Sequence, residues 1–490
     1  MLFAIVLVLA LVFFVTQWMW SKRANLPPGP RALPLIGHFH LLGRIPQISL
    51  YHLSKKFGPL MYLRLGSLPL FVVSSPAMAR EFLKTHDAAF AHRPPKVAVY
   101  SYKSVSYSEG EYHKNLRRMC SMELFTARRV TSFTKIIRDE LWDLTAELAN
   151  ASKADQPVAL RGKLRALSFN VMTRILMNKT FFGSKASGGG DQEARNFLET
   201  IDEVLAAFGA FAIEDYFPSI GWLDLSIARR CRRAYGKMDV FLENVLDEQR
   251  PGEIPDFVEM TKARVNGPDQ TQSLKALLMD LLVAGSETSS TTTEWAMAEL
   301  LHNPEWMEKL QQEIESVVGR DRMVEESDLA KLELVNAVIK ETFRLHPPLG
   351  LLVPHTSPEP RLVAGFEIPA KATVLINAYA IGRDSQAWPN DPDKFKPGRF
   401  VGSNINVYGH DFELLPFGSG KRGCPGLPLG LRNVQLVLSN LIHGFDWRFS
   451  EDARNLSLDS GPGLVDTVAD AVVAHVSPRL QQCAFDTLAA

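Results

Sequence analysis

The sequence predicts a mainly α-helical protein with small β-sheets. Most of the chain from Ala77 to about Phe343 shows apolar residues at the spacing of amphipathic helices. The longest helical pattern, Ser273 to His302, ends shortly before a proline. Short stretches with the apolar runs or alternation of strands occur at 60–65, 68–73 and 363–376. We therefore expect one large helical unit that carries a few short antiparallel strands.

Composition and charge narrow the class of protein. The chain has 490 residues, 46% hydrophobic and 22% charged, with a formal net charge of zero. Because there is no basic excess, we expect no nucleic-acid partner. Four cysteines without CxxC or CxxCH spacing disfavour a zinc site, a disulfide scaffold and c-type haem, and they fit a reducing compartment.

Residues 1–21 predict a transmembrane signal anchor. Leu2 to Trp20 is nearly all apolar, and at about 1.5 Å per residue it is roughly long enough to cross a bilayer core of roughly 30 Å. No basic segment precedes the run and no small-residue cleavage site follows it, so a removed signal peptide is the weaker alternative. Lys22 and Arg23 come next, and the positive-inside rule then places the remaining chain in the cytoplasm.

Residues 22–34 predict a stiff hinge, and residues 35–490 predict one catalytic domain. The hinge contains Leu26-Pro27-Pro28-Gly29-Pro30 and Pro34, which cannot form a helix. No later linker or internal repeat divides the chain.

The segment from Pro416 to Gly426 packs four glycines and two prolines around one cysteine, Cys424. Such a backbone can fold tightly around the sulfur and point N–H groups at it, and a helix-like run starts directly after it. Lys421 and Arg422 add positive charge, so we expect a lowered thiol pKa and a thiolate. We interpret Cys424 as a metal ligand. The other cysteines are interpreted as small buried hydrophobes.

The same segment contains Gly418-x-Gly420-x-x-Gly423, which is formally a dinucleotide-binding fingerprint. A Pro-Phe turn precedes it, and Cys424 stands where the phosphate-binding helix should begin. We therefore reject this alternative.

The longest helical pattern has an unusual centre, Ala284-Gly285-Ser286-Glu287-Thr288-Ser289. Serine and threonine hydroxyls can bond back to the carbonyl four residues earlier, so we expect Thr288 to bond Ala284. We expect Gly285 to leave room for a flat ligand and a small gas molecule. Read alone, the hydroxyl run is more often a packing kink, and that alternative stays open.

These segments together resemble the cytochrome P-450 superfamily, the haem-thiolate monooxygenases. The resemblance is carried by Phe417-x-x-Gly420-x-Arg422-x-Cys424-x-Gly426, the centre of the long helix, Glu341-x-x-Arg344 and Pro397-Gly398-Arg399-Phe400, in the family's order. It implies the cytochrome P-450 fold, haem b as cofactor and Cys424 as the axial iron ligand. The forms Lys340-Glu341-Thr342-Phe343-Arg344-Leu345-His346-Pro347 and Pro416-Phe417-Gly418-Ser419-Gly420 look most like the plant microsomal branch.

The resemblance also implies roles for individual residues. Glu287 would be the acid end of a proton relay, and Thr288 the hydroxyl that stabilises bound dioxygen. The expected haem contacts are Arg422, His113 in place of the usual tryptophan, Arg117 and His355 on the propionates, and Phe417 beside the thiolate. Glu341, Arg344 and Arg399 would form a buried structural network, with Gly398 where the family usually has glutamate.

The implied protein is a single-pass enzyme of the endoplasmic reticulum membrane with its catalytic domain facing the cytoplasm. It would use O2, and electrons from NADPH through a separate flavoprotein reductase, to oxidise a small hydrophobic or aromatic phenylpropanoid, flavonoid, terpenoid or alkaloid. The reductase would dock on a basic patch formed by Lys421, Arg422, Lys114, Arg117, Arg118, Arg128 and Arg129. By analogy with the family, the pocket would be lined by residues 97–105, 206–211, 278–288, 349–353 and 462–465.

Two alternatives remain open. One is a haem-thiolate isomerase or dehydratase that works without a reductase, and the other is a non-catalytic membrane haem-binding protein. Glu287 and Thr288 argue against both, because neither alternative needs a proton relay to bound oxygen.

Overall fold

The computed structural model describes residues 25–96, 99–183, 190–209, 212–223, 225–247, 257–262, 269–450 and 457–487. The predicted anchor, residues 1–21, and the first residues of the predicted hinge lie outside this described part. Among the helices that the structure describes, none is long and apolar enough to cross a membrane.

Helices make up most of the described chain, as predicted. They are α1 Pro46–Phe57, α2 Pro76–Arg80, α3 Asp87–Phe90, α4 Gly110–Glu123, α5 Ala127–Lys153, α6 Leu160–Met177, α7 Gly190–Gly209, α8 Ile213–Tyr216, α9 Leu225–Asp247, α10 Phe257–Lys262, α11 Gln270–His302, α12 Pro304–Val318, α13 Glu333–Leu345, α14 Ala378–Ile381, α15 Leu427–Gly444 and α16 Gln482–Asp486. Short 3-10 turns include Pro397–Phe400 and Gly420–Arg422.

Short strands form three small sheets within the described residues. The strands are β1 Leu60–Leu65, β2 Leu68–Val73, β3 Val158–Ala159, β4 His355–Thr356, β5 Arg361–Val363, β6 Phe366–Ile368, β7 Thr373–Ile376, β8 Phe445–Phe449 and β9 Val473–Pro478. Their orders are β1-β2-β7-β4, β3-β9-β8 and β5-β6. The predicted β1–β2 hairpin is confirmed. Strand β7 was expected in an antiparallel group, but it also pairs parallel with β2 because a long helical excursion separates the two.

Helix α11 runs through the centre of the helical core and packs against α6, α13 and α15. Gly285 marks its closest approach to α6, since a Cβ built on it would lie 2.6 Å from Met172 Sδ. The expectation that Gly285 leaves room for a flat ligand is therefore wrong. Successive helical residues point about 100° apart, so Gly285 faces α6 while Ala284 and Thr288 share another face.

A second, smaller core joins the four-stranded sheet to α2 and α3. It buries Phe71, Phe82 and Phe90 together with Leu352. Leu352 also reaches the cysteine segment, since its Cδ1 would lie 3.7 Å from a Cβ on Gly418. This core therefore fixes β4, and with it His355, relative to Cys424.

Candidate active site

The loop around Cys424 is shaped by glycines in the left-handed region. Gly418 and Gly420 have φ values of +66° and +70°. A Cβ on Gly420 would lie 2.5 Å from Asp87 Oδ1, so the loop can pack this closely on α3 only with glycine there. The N–H of Cys424 donates to the carbonyl of Phe417 at 2.8 Å and closes the loop.

The thiol of Cys424 is accessible, although protein surrounds it. Burial raises its pKa, while amides of Gly426 and Leu427 and the charge of Arg117 act in the opposite direction. The expected lowering of the thiol pKa is therefore wrong for the polypeptide alone, because burial outweighs the amides and the charge. Coordination to a metal cation deprotonates a thiol outright, so a bound iron would supply what the chain lacks.

Phe417 lies on the side of the loop that faces α13 and α15. Its ring packs edge-to-face against Phe343, with the ring centroids 5.3 Å apart. Gly430 of α15 comes close enough that a Cβ there would lie 3.8 Å from the ring. These contacts anchor the start of the loop in the core.

Cationic and titratable side chains gather on the opposite side of the loop. Arg117 Nη1 donates to the carbonyl of Gly423 at 2.6 Å. Arg422 donates through Nε to Ala91 and through Nη2 to Ser108, at 2.6 and 2.7 Å from their carbonyl oxygens. Its remaining nitrogen, Nη1, is buried and has no hydrogen-bond partner in the described chain.

His113 and His355 belong to the same cluster and are neutral. Burial lowers the pKa of His113 to about 4 and that of His355 to about 3, and the charge of Arg422 acts in the same direction on both. His355 Nδ1 lies 2.9 Å from the carbonyl oxygen of Phe90. Because a carbonyl can only accept, Nδ1 carries the proton and donates it.

Arg93 is a member of this cluster that the sequence reasoning missed. Its Nη1 donates to the carbonyls of Val353 and Pro354, both at 2.7 Å. Burial and the charge of Arg422 lower its pKa to about 9. Only its position between His92 and Pro94 sets it apart in the sequence, and that signal does not indicate a function.

The cluster fits the anionic edge of a haem. Arg93, Arg117 and Arg422 each have a lowered pKa, chiefly through burial. Burying cations this close together, with one N–H left without an acceptor, costs folding free energy unless an anion pairs with the charges and accepts from that N–H. Two propionates would do so, and the accessible sulfur of Cys424 lies beside the cluster.

The centre of α11 presents Thr288 and Glu287 on different sides of the helix. Thr288 Oγ1 donates to the carbonyl of Ala284 at 2.8 Å, so the predicted back-bond is confirmed. Ala284 is exposed although most of the surrounding helix is buried, which indicates that this face borders an internal space. Glu287 is 7% exposed and turned toward α6.

Glu287 is part of a chain of charges that leads to the surface. It accepts a hydrogen bond from Arg165 Nε at 2.8 Å. The same guanidinium donates to both carboxylate oxygens of Asp202, at 2.6 and 3.2 Å, and that carboxylate is 55% exposed. All three line a cavity of about 300 Å³. Burial raises the pKa of Glu287, and Arg165 opposes the rise.

The structure brings Glu341, Arg344 and Arg399 together. Arg344 donates to Glu341 at 2.6 and 2.8 Å, and both side chains are 0% exposed. Arg399 Nε donates to the same carboxylate at 3.0 Å. The backbone N–H of Lys396 donates to it at 2.6 Å. Gly398 lies against Trp306, whose ring would be 3.3 Å from a Cβ there.

A large pocket, about 910 Å³, lies between the β1–β2 sheet, α7 and the loop 462–464. It is called the substrate pocket from here on because the function proposed below places the substrate there. It is lined by members of three predicted segments: 206, 208 and 209 of 206–211, 349 and 351–353 of 349–353, and 462–464 of 462–465. The predicted lining residues 97–98 and 210–211 lie outside the described residues, while 99–105 and 278–288 do not line this pocket.

The predicted basic patch is only partly a surface feature. Arg117 and Arg422 point inward to the carbonyls described above. Arg129 pairs with Glu123 at 3.3 Å. Exposed cations remain at Lys114, Arg118, Arg128 and Lys421.

Comparison with known proteins shows the family to which this chain belongs. The family model for cytochrome P-450 matches residues 27–470. The chain belongs to the cytochrome P-450 family. A flavonoid 3'-monooxygenase from Petunia hybrida is 38% identical, over 97% of both chains. A cytochrome P-450 from Panax ginseng is 40% identical over 90% of both. A zebra fish cytochrome P-450 solved with progesterone has a TM-score of 0.76 at 25% identity, covering 88% of this chain and 99% of that one.

Membership establishes the class of chemistry. This cytochrome P-450 is a monooxygenase with haem b as its cofactor. It uses O2, a redox partner and a small hydrophobic substrate. The fold is the mainly helical one of the family, with small sheets.

Proposed function

We propose that this cytochrome P-450 hydroxylates a small aromatic specialised metabolite of plants, in the phenylpropanoid or flavonoid class, at the endoplasmic reticulum membrane. The observation that carries the proposal is near full-length similarity to proteins named flavonoid 3'-monooxygenase, at 37 and 38% identity. The substrate pocket supports it, since about 910 Å³ of mainly apolar space suits a ligand of this size.

The polypeptide holds and orients the cofactor in this proposal. Cys424 would supply the sulfur ligand to the iron, and Arg93, Arg117, Arg422, His113 and His355 would hold the propionates. Glu341, Arg344 and Arg399 fix the segment that precedes the cysteine loop. The haem, when bound, supplies the chemistry by which one atom of dioxygen enters the substrate and the other leaves as water.

Protons for this reaction would pass through Glu287 and Thr288. Asp202 takes up protons from solvent at the outer end of the 300 Å³ cavity. Glu287 carries the proton at the inner end, where burial raises its pKa and so favours the protonated form. The Thr288 hydroxyl, which donates to the carbonyl of Ala284, would accept a hydrogen bond from the proton donor on the side of α11 that borders the internal space.

Membrane attachment would involve the predicted anchor together with an apolar surface of the catalytic domain. Large hydrophobic side chains are exposed at Leu33, Leu35, Ile36, Ile213 and Ile220. The two segments meet where the Phe39 ring packs edge-to-face on Tyr216, with centroids 4.9 Å apart. Because Tyr216 also lines the substrate pocket, a substrate dissolved in the bilayer would enter from this side.

The redox partner in this proposal is an NADPH-dependent flavoprotein reductase that docks near Cys424. Exposed Arg118, Arg128 and Lys421 support the proposal, since positive charge would steer an acidic partner to this face. The inward-facing Arg117 and Arg422 take no part in docking.

Reconstitution tests the proposal and separates it from the alternatives. Purified protein in lipid vesicles is given the flavanone naringenin with NADPH and a plant reductase, or with either component omitted. We expect a hydroxylated product only in the complete reaction, with ¹⁸O from labelled O2 in the new hydroxyl. Equal product without reductase would favour the isomerase or dehydratase alternative. A normal thiolate-carbonyl spectrum without turnover of any phenylpropanoid or flavonoid would contradict the proposed function.

A further inference from the structure

The substrate pocket contains an ammonium group, that of Lys96, with no carboxylate at salt-bridge distance among the described residues. Lys96 Nζ lies 5.3 Å from the centroid of the Phe208 ring, and both residues line the pocket. The Tyr102 hydroxyl accepts from the backbone N–H of Lys96 at 3.0 Å and donates to its carbonyl at 3.1 Å. The backbone is therefore clamped, while the side chain projects along the pocket wall.

The surroundings of Lys96 disfavour its charge. Burial lowers its pKa, and the charge of Asp215 acts in the opposite direction. The attraction of a cation to an aromatic face offsets part of the free energy that the cation loses when it leaves water. A carboxylate partner would offset much more of it.

The lining of the pocket as a whole carries an excess of positive charge. Its lysine and arginine residues are Arg44, Arg93, Lys96 and Lys371, and its carboxylates are Glu109 and Asp215. Glu109 is already engaged, because one oxygen lies 3.1 Å from His92 Nδ1 and the other accepts from the N–H of Arg93 at 3.1 Å. With Arg93 assigned to the propionates, Arg44, Lys96 and Lys371 still outnumber Glu109 and Asp215, so the pocket favours anions inside a mainly apolar wall.

An aromatic surface lies directly beside the ammonium. The ring of Phe208 is held edge-to-face by Tyr107, with the centroids 5.6 Å apart and the planes at 73°. Tyr107 is 3% exposed, so this pair belongs to the rigid wall of the protein. A ligand that reaches Lys96 thus meets a ring face next to a positive charge.

We propose that the substrate is an aromatic compound with an acidic oxygen, either a carboxylate or an acidic phenol, and that Lys96 binds this oxygen. This inference rests on the proposed function, because it takes the 910 Å³ pocket as the substrate site. The oxygen pairs with the ammonium, and the attached ring packs against Phe208. Lys96 is then a residue that determines substrate specificity.

Binding of matched ligand pairs to the haem-loaded enzyme tests this inference. The pairs are cinnamate with methyl cinnamate, and naringenin with its 7-O-methyl ether, at a pH above the pKa of that phenol. The Kd values are measured by spectral titration and by calorimetry, without reductase or NADPH. In Lys96→Met we expect the Kd of the acidic member to rise about tenfold or more, with the blocked member little changed. Lys96→Arg should retain the preference.

Controls exclude general damage to the pocket. Lys371→Met removes an exposed charge from the same lining and should leave the acid-to-blocked ratio within about twofold, as expected for a solvated charge. An unchanged thiolate-carbonyl spectrum shows that Lys96→Met is folded.

Each outcome of these titrations either supports the inference or overturns it. Dependence on Lys96 in the cinnamate pair alone identifies a carboxylate, and dependence in the naringenin pair alone identifies an acidic phenol. Equal Kd values in wild type and Lys96→Met, equal losses for both members of a pair, or no binding of either acidic ligand would overturn it. Lys96-dependent binding without turnover would refute the proposed function and leave this inference standing.

Discussion

Arg165 Nε lies 2.8 Å from Oε1 of Glu287, so a cation from α6 holds the one buried carboxylate next to Thr288. The same guanidinium also holds Asp202 at the mouth of the cavity. Arg165 thus bridges an inner and an outer carboxylate of the same cavity. The ionisation of Glu287 therefore depends on a residue of another helix.

Replacing Arg165 with methionine should raise the pKa of Glu287. Burial already raises it, and Arg165 opposes that rise, so loss of the cation leaves burial unbalanced. We expect the inflection due to Glu287 in the pH profile of NADPH-driven turnover to move to higher pH. Glu287→Gln should lack this inflection, and Arg165→Lys should shift it less. An inflection at the wild-type pH in Arg165→Met would contradict the assignment.

Removing Arg344 should prevent stable haem loading. Arg344 and Glu341 are both fully buried, and breaking such a pair costs about 3–5 kcal/mol in the free energy of unfolding. The yield of haem-loaded Arg344→Ala, measured by the reduced carbonyl spectrum, should be a small fraction of wild type. Arg361→Ala breaks the exposed pair with Glu359 and should cost at most about 1 kcal/mol. Normal loading of Arg344→Ala would rule out the structural role.

Replacing Cys424 with alanine should abolish the red-shifted carbonyl band of the reduced protein. The sulfur is the only atom of this side chain that can ligate iron, and its environment is built by the loop amides. Cys483→Ala provides the control, since Cys483 is exposed near the C-terminus. A variant without Cys424 that kept the band would require another axial ligand.

The haem-free chain should lose stability as the pH falls through the titration range of its buried histidines. His113 and His355 have folded-state pKa values of about 4 and about 3, below the ordinary value of 6.5. Between the ordinary pKa of 6.5 and the lowered folded-state pKa, the unfolded chain therefore binds more protons than the folded chain. The free energy of unfolding that is present above pH 6.5 declines by about 1.4 kcal/mol per pH unit for each histidine as the pH falls through this range.

Urea unfolding between pH 7 and 5 measures this slope. His355→Gln, which keeps a donor for the Phe90 carbonyl but cannot titrate, should reduce the slope by up to about 1.4 kcal/mol per pH unit, the contribution of one histidine. An unchanged slope in that variant would show that His355 is not held neutral.

Gly285→Ala should destabilise the protein by about 1–3 kcal/mol through overpacking against Met172. A second substitution, Met172→Ala, should recover part of the loss because it removes the atoms that the new methyl group meets. Thermal unfolding of the two single variants and the double variant measures this coupling. Additive effects would mean that the glycine serves another purpose.

Local sequence patterns predicted those parts of the site that are local in the chain. The loop around Cys424 depends on glycines within a few residues of the sulfur, and the Thr288 bond to Ala284 spans one helical turn. Arg93 and Arg165 could not be found in this way. Arg165 lies 122 residues from Glu287, and Arg93 lies 260 residues from Val353, so only the packing of α6 on α11 and of β4 on α3 brings them to the site.

Hydrophobic periodicity predicted the fold class correctly. The errors in the prediction concern which way individual residues face. Gly285 was assigned to the face of α11 that borders the internal space, although it is one residue, and so about 100°, away from Ala284. Arg117 and Arg422 were expected both at the propionates and in a basic surface patch for the reductase. The patch prediction missed the backbone carbonyls of Gly423, Ala91 and Ser108, which hold the two guanidinium groups inward.

The contacts of Arg344 limit which changes in chain length this protein can tolerate during evolution. Besides Glu341, its guanidinium donates to the carbonyls of Gly382, Pro392 and Lys394. Three peptide groups from a stretch of irregular backbone are thereby held at fixed distances from one buried side chain. An insertion or deletion between 382 and 394 would move at least one carbonyl out of reach, so descendants of this gene can vary this stretch in sequence but scarcely in length.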